Sequence, residues 1–185
     1  MKATRHNFNR NCRLDRIAAN DGFRPQFASI YFKDGYAYAT DAHALIKVKL
    51  TEISTFQDHQ LDLLEGKAVY RSVFAKVLEY DHVAITAEGF KARVPDTDSF
   101  ITFGFTGVQE QVVENIEKVI LSAKNEKQAV VASFGINPAL LAKFDKIFSD
   151  NYGILLIVKA ANKAILVRWA GKDATGLIMP VMINE

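Results

Sequence analysis

One cysteine, Cys12, is the chain's whole supply of thiol. It excludes an intramolecular disulfide and a cysteine-rich zinc site, and it fits a reducing, cytoplasmic setting. No apolar run approaches the ~20 residues that span a bilayer, so no membrane partner is expected. The first ten residues, Met1 to Arg10, are polar and basic and lack the apolar stretch of a secretory signal. The 10 glycines never gather into GxGxxG or a phosphate loop, and Gly104 and Gly107 stand alone. The four histidines are scattered, with no HExxH pattern. No GxSxG elbow surrounds any serine. These absences exclude the common cofactor and metal classes, so no cofactor, no metal and no catalytic residue is expected, and the chain is not read as an enzyme.

What is present is a chain of 185 residues, 49% hydrophobic, enough for one large domain or two small ones. The net charge of +2 decides little, but its placement is uneven. Lys2, Arg5, Arg10, Arg13, Arg16 and Arg24 crowd the first 24 residues against only Asp15 and Asp21. Such a segment attracts phosphate, although an ordinary solvated face has the same composition.

Apolar spacing predicts a helix over 13–20, capped by Asn9 or Asn11. Strands are expected at 27–32 and 36–40 around the turn Lys33-Asp34-Gly35, and at 44–50. Residues 51–66 read as a connector. A strand at 68–70 precedes a helix from Ser72 to Glu79, with Ser72 as its cap. Strands at 83–86, 90–94 and 100–105 follow, the first two joined at Glu88-Gly89. Residues 108–128 carry no Gly or Pro and read as a helical or extended linker. Beyond it come a strand at 129–134, a helix opened by Asn137-Pro138, and strands at 154–158, 164–169 and 177–183. Strand, helix, strand, strand, strand thus recurs about three times. The pattern predicts an α+β fold, repeated β-α-β-β-β units with helices on one face of mainly antiparallel sheets. Its division is 1–107 with two units, 108–128 as connector, and 129–185 as a third.

Several groups of residues invite a functional reading. Asp41 and His43 share one strand face and would suit a metal or a base, but local hydrogen bonding is the commoner use. Asp96 and Asp98 after Pro95 read first as turn chemistry. Tyr31, Phe32, Tyr36 and Tyr38 would suit base stacking or plain sheet packing. The apolar tail from Leu177 to Met182 must lie in a sheet or a groove.

The stretches Arg16-Ile-Ala-Ala-Asn-Asp-Gly-Phe-Arg24-Pro25, Ile30-Tyr-Phe-Lys-Asp-Gly35 and Ala39-Thr-Asp-Ala-His-Ala-Leu45 resemble the middle domain of bacterial DNA polymerase III beta-subunit sliding clamps. Phe134-Gly-Ile-Asn-Pro-Ala-Leu-Leu141 and Leu177-Ile-Met-Pro-Val181 resemble the end of the same clamps. Asn115-Ile-Glu-Lys-Val-Ile120 is similar to the connector between their last two domains. The resemblance implies a DNA-clamp fold without a counterpart of the N-terminal domain or of the first half of the last. It implies a processivity factor that holds duplex DNA by sequence-independent phosphate contacts, with Arg10, Arg13, Arg16, Arg24, Arg71, Lys76, Lys143 and Lys146 facing the duplex. It implies a hydrophobic cleft for peptides of a DNA polymerase or other partners, formed by Thr40, His43, Leu45, Leu177, Met179, Pro180 and Met182. A ring would require a homo-oligomer. A non-catalytic interaction module that keeps the fold without encircling DNA is the alternative. Ala42 stands where the family has glycine, Ala44 where it has arginine, and Leu121 where the connector has proline.

Overall fold

The computed structural model describes residues 5–20, 22, 24–107, 110–131, 133–145, 147–148 and 153–181. In chain order the elements are α1 (Leu14–Ile17), β1 (Ser29–Lys33), β2 (Tyr36–Thr40), β3 (Ala44–Lys49), α2 (Leu50–Ile53) and α3 (Asp58–Leu61). Next come β4 (Lys67–Tyr70), α4 (Arg71–Val77), β5 (Val83–Ile85), β6 (Gly89–Arg93), β7 (Phe100–Gly104) and α5 (Glu110–Asn125). The chain closes with α6 (Pro138–Leu141), β8 (Ile154–Ile157), β9 (Ile165–Trp169) and β10 (Ala174–Ile178).

Seven strands form one sheet in the order β4-β1-β2-β3-β10-β9-β8, and β5-β6-β7 form a second. The pairings between these strands are antiparallel. The decisive pairing is β3 with β10, which sets Leu45 opposite Leu177 and Ala44 opposite Ile178. Two segments far apart in the chain thereby become neighbours, and the sheet runs through both parts of the molecule.

Alternation along the strands explains why the large sheet is covered twice. Ile30, Phe32, Ala37, Ala39, Ile46, Val48, Val167 and Trp169 belong to the main core. That core also takes Leu14 and Ile17 of α1, Phe74 and Val77 of α4, Phe144 beyond α6, and Phe90 of the small sheet. The intervening Tyr31, Tyr38, Leu45, Leu166 and Leu177 face the other way and meet Val112, Val113, Ile116 and Ile120 of α5. The linker is therefore a 16-residue amphipathic helix that seals the second face. Its buried positions recur at three and four residues, which is why a polar-looking segment folds onto a sheet.

Several local expectations change. The strand expected at 129–134 is absent among its described residues, and Val130 is fully exposed. Its Ala129 N–H donates to the Lys159 carbonyl at 2.8 Å, but among the described residues no ladder continues from that bond, so the β-branched pair Val130-Val131 does not suffice to make a strand. The first helix is only four residues long, starts after Arg13 and has no side-chain cap. Ser72 does not cap α4 either; Tyr70 holds the cap position. Asn137 does cap its helix, accepting the Ala139 N–H at 2.9 Å. Residues 51–66 fold into α2, α3 and a short turn of 3-10 helix. From Arg5 onward the basic start is packed into the fold: Phe8 is fully buried and its ring meets Phe32, Phe56, Phe74 and Phe90. Asn7 beside it is buried and donates to the Val77 and Tyr80 carbonyls at 2.7 Å each.

Candidate functional site

The β2–β3 hairpin turn stands at the centre of the site. Thr40 Oγ1 donates to the Ala44 carbonyl at 2.9 Å and accepts the Ala42 N–H at 3.0 Å. Asp41 Oδ1 accepts the N–H groups of His43 and Ala44 at 2.9 and 2.7 Å. The turn keeps a positive φ of 75° at Ala42, so the glycine-type backbone survives without glycine. Burial raises the Asp41 carboxyl, but its bonds from Lys143 and from the two backbone N–H groups outweigh burial and hold it below the usual range. Asp41 thus serves the turn and Lys143, and among the described residues the His43 ring has no carboxylate partner.

On one side of this turn lies an apolar cleft of about 460 Å³. Its walls are Phe27 and Gln26 from the loop before β1, Thr40, Ala42 and Leu45 from the hairpin, and Gln111, Val112, Asn115, Ile116 and Val119 from α5. Two partly buried polar bridges lock α5 against the sheet beside it. Tyr38 donates to Glu117 Oε1 at 2.7 Å and Lys47 donates to the same oxygen at 2.5 Å. Burial raises the Glu117 carboxyl, and these two bonds bring it below its ordinary value. Burial, then the bond to Glu117, drives the Tyr38 phenol well above its usual range. Lys47 also lies over the Tyr36 ring at 4.3 Å.

Of the residues expected to wall the cleft, Thr40 and Leu45 do line it. Leu177 lies opposite Leu45 but is only 2% exposed beneath α5, so it supports the floor from below. Met179 donates its N–H to the His43 carbonyl at 2.8 Å and is exposed, while Pro180 is half-buried; neither touches the cavity. His43 faces the other side of the turn. Met182 lies outside the described residues. The residues missed in the sequence are Gln26, Phe27 and the α5 wall. The α5 signal was legible as apolar residues at 112, 113, 116 and 120, but nothing in that spacing says which sheet they meet.

The cations divide into two groups. Arg10 joins Arg5 on Asp81, at 2.7 and 2.9 Å. Arg13 forks onto buried Asp15 at 2.8 and 2.6 Å, and Lys76 pairs with Glu79 at 3.1 Å. The second group meets around a hollow on the face that carries the short helices: Arg16, Arg24, Arg71 and Lys143, with Asp41 and His43. Here α1 packs beside α4 and the turn after α6, which is what brings these residues together. Lys146 lies outside the described residues. Among the described residues no cluster of three His, Cys, Asp or Glu side chains is arranged to hold a metal, and no helix is long and apolar enough to cross a membrane.

The remaining candidates are structural. Tyr31, Phe32 and Tyr38 are buried, which removes the stacking platform and leaves sheet packing. Asp96 sits in a turn at φ 58°, and Asp98 accepts from Arg93 at 3.5 Å. Cys12 is fully buried, and burial pushes its thiol far up. A further depression, about 860 Å³, is lined by Arg10, Glu79, Asp81, Arg93 and Asp96, with its acids and bases mostly paired.

Antiparallel sheets carrying short helices on one face of the larger sheet and α5 on the other make a DNA-clamp architecture. Solved sliding clamps share it. The clamp of Bacillus subtilis matches 99% of this chain with a TM-score of 0.59 at 12% identity. The DNA polymerase III beta subunit of Bartonella birtlesii, solved bound to griselimycin, matches 94% with a TM-score of 0.58 at 13% identity. That of Pseudomonas aeruginosa matches 94% with a TM-score of 0.55 at 16% identity. The chain spans 64–65% of the length of these three structures. At these identities the likeness is one of fold. No protein-family model matches the sequence, and no curated protein sequence does.

Proposed function

We propose that the protein is a non-catalytic, sliding-clamp-like processivity factor that tethers partner proteins to duplex DNA. The observation that carries this reading is the β3–β10 junction. It joins two distant segments, supports an apolar cleft on one face of the sheet, and leaves cations on helices of the opposite face. A cleft of this size and lining suits a short apolar peptide, as from a DNA polymerase. Thr40, Leu45, Phe27 and Val119 are its contact residues, with Leu177 holding the floor and His43, Met179 and Pro180 setting the rim. The helix face meets phosphates without reading bases, through Arg16, Arg24, Arg71 and Lys143. Arg10, Arg13 and Lys76 contribute less, because they pair with Asp81, Asp15 and Glu79 away from the hollow, whereas Lys143, paired with Asp41, stands in it.

A ring built from these 185 residues needs several copies with closed symmetry. Exposed apolar residues on the edge strands β7 and β8 support edge-to-edge assembly: Phe100 is 56% and Leu155 59% exposed. The division into 1–107, a connector and 129–185 belongs to the same proposal.

Val119, 45% exposed on the cleft wall, supplies the test. Val119→Glu leaves the fold intact and lowers affinity for a clamp-binding peptide at least tenfold by calorimetry. Unchanged affinity in this variant would remove the cleft from the proposal.

A further inference from the structure

Four cations from four separate segments meet at one hollow of about 350 Å³. Arg16 comes from α1, Arg24 from the loop after it, Arg71 from the first turn of α4, and Lys143 from the turn after α6. Asp41 is the one carboxylate among the described residues that line it. Lys143 already bonds Asp41, and Asp41 also accepts two backbone N–H groups. Asp15, on α1, is engaged by Arg13. Neither acid therefore has much capacity left to neutralise Arg16 or Arg71.

These two arginines have unused donors. Arg16 is exposed, and its side chain has no hydrogen bond or ion pair among the described residues. Arg71 spends Nε on the Asp15 carbonyl at 2.8 Å, while its Nη1 is buried with no acceptor. Burying that donor is costly, and an anion in the hollow compensates the guanidinium charge through the edge of Arg71 that lines it. Guanidinium forks arriving from different directions suit a tetrahedral oxyanion better than a planar carboxylate.

We propose that this hollow is a discrete site for one phosphate group, held by Arg16, Arg24, Arg71 and Lys143. The volume exceeds what a lone phosphate needs and admits the sugar attached to it, so the source is a phosphodiester of the nucleic-acid backbone. That source rests on the DNA-tethering reading above; the phosphate chemistry does not. The site differs from a diffuse basic surface because it saturates with a single small anion.

The test titrates inorganic phosphate into the full chain at constant ionic strength, following the melting temperature, and then follows binding of a short duplex. Phosphate raises the melting temperature saturably in the wild type, and Arg16→Gln weakens that affinity at least tenfold. Phosphate competes with the duplex, and Arg16→Gln lowers the salt slope of duplex binding by about one. Duplexes with and without 5′-phosphates bind equally; a marked preference for the phosphorylated ends overturns the backbone source. A shift that follows ionic strength alone, or that Arg16→Gln leaves unchanged, overturns the site even where duplex binding persists. Saturable phosphate binding without any duplex binding keeps the site and overturns the tethering reading.

Discussion

Ala42 occupies the left-handed region at φ 75°, where its Cβ crowds the backbone. The hydrogen bonds of Thr40 and Asp41 hold it there. Ala42→Gly relieves the strain and should stabilise the protein by about 1 kcal/mol, read from chemical denaturation. Gly176 presents the opposite case. A Cβ there would lie 2.7 Å from Phe144 Cε1 and 3.1 Å from Val167 Cβ, inside a packed sheet face. Gly176→Ala should cost about 1–3 kcal/mol by the same measurement. The hairpin motif marks Ala42 as standing in a glycine's place, yet only the coordinates show that the backbone did not follow the side chain. Gly176 looks like any strand glycine in the sequence, because the Phe144 ring that presses on it comes from a distant turn. Charge pairing was equally hidden. Arg13 and Arg16 look alike in the chain, but Arg13 forks onto Asp15 while the Arg16 side chain projects from the short helix without a partner among the described residues.

At the scale of the element, α5 is the departure with most consequence. Residues 108–128 were legible as a helical or extended linker, and 110–125 of them form a helix. Their docking was not legible, because it depends on Tyr31, Tyr38, Leu45 and Leu177 sharing a face only after β3 and β10 pair. The docking is polar as well as apolar. Asp41 in the hairpin and Glu117 on α5 both have carboxyl values held below the ordinary one, so each favours the folded state when ionised. Their contribution is complete above their unfolded values, around pH 4, and fades as pH falls through the lowered ones. Stability followed by denaturation from about pH 7 to about pH 3 should therefore decline at the acid end, and Glu117→Gln should flatten that decline. Ile116→Asp should detach α5 and let the Tyr38 phenol titrate near pH 10, its ordinary value, by ultraviolet absorbance. A Tyr38 that still resists ionisation in this variant would mean that the sheet alone, and not α5, keeps it protonated.

Across the whole molecule, the strand pattern and the two end motifs carried most of the architecture. Turn signals and β-favouring runs marked strands at 27–32, 36–40 and 44–50 before any tertiary context was known, and the structure has them at 29–33, 36–40 and 44–49. The strand expected at 129–134 failed because strand formation there needed a neighbour, and propensity does not supply one. The cleft was legible in part. Thr40 and Leu45 were marked by the hairpin motif, whereas Phe27 and Val119 carry no motif and come together only by folding. The cations were legible as a basic set but not as two sets. Arg13, Lys76 and Arg10 pair with Asp15, Glu79 and Asp81 away from the hollow, and no spacing in the chain distinguishes them from Arg16, Arg24, Arg71 and the Asp41-paired Lys143, which line it. Only the packing of α1 against α4 and the turn after α6 makes that division.

The central claim is that one molecule holds duplex DNA on its helix face and an apolar peptide in the cleft behind the same sheet. The direct measurement is retention of a fluorescent clamp-binding peptide on immobilised duplex at low salt, with and without the protein. The account predicts retention only when the protein is present, independent of duplex sequence, lost in Val119→Glu, and weakened as salt rises. A protein that binds the peptide in solution but leaves none of it on the duplex at low salt would contradict the account.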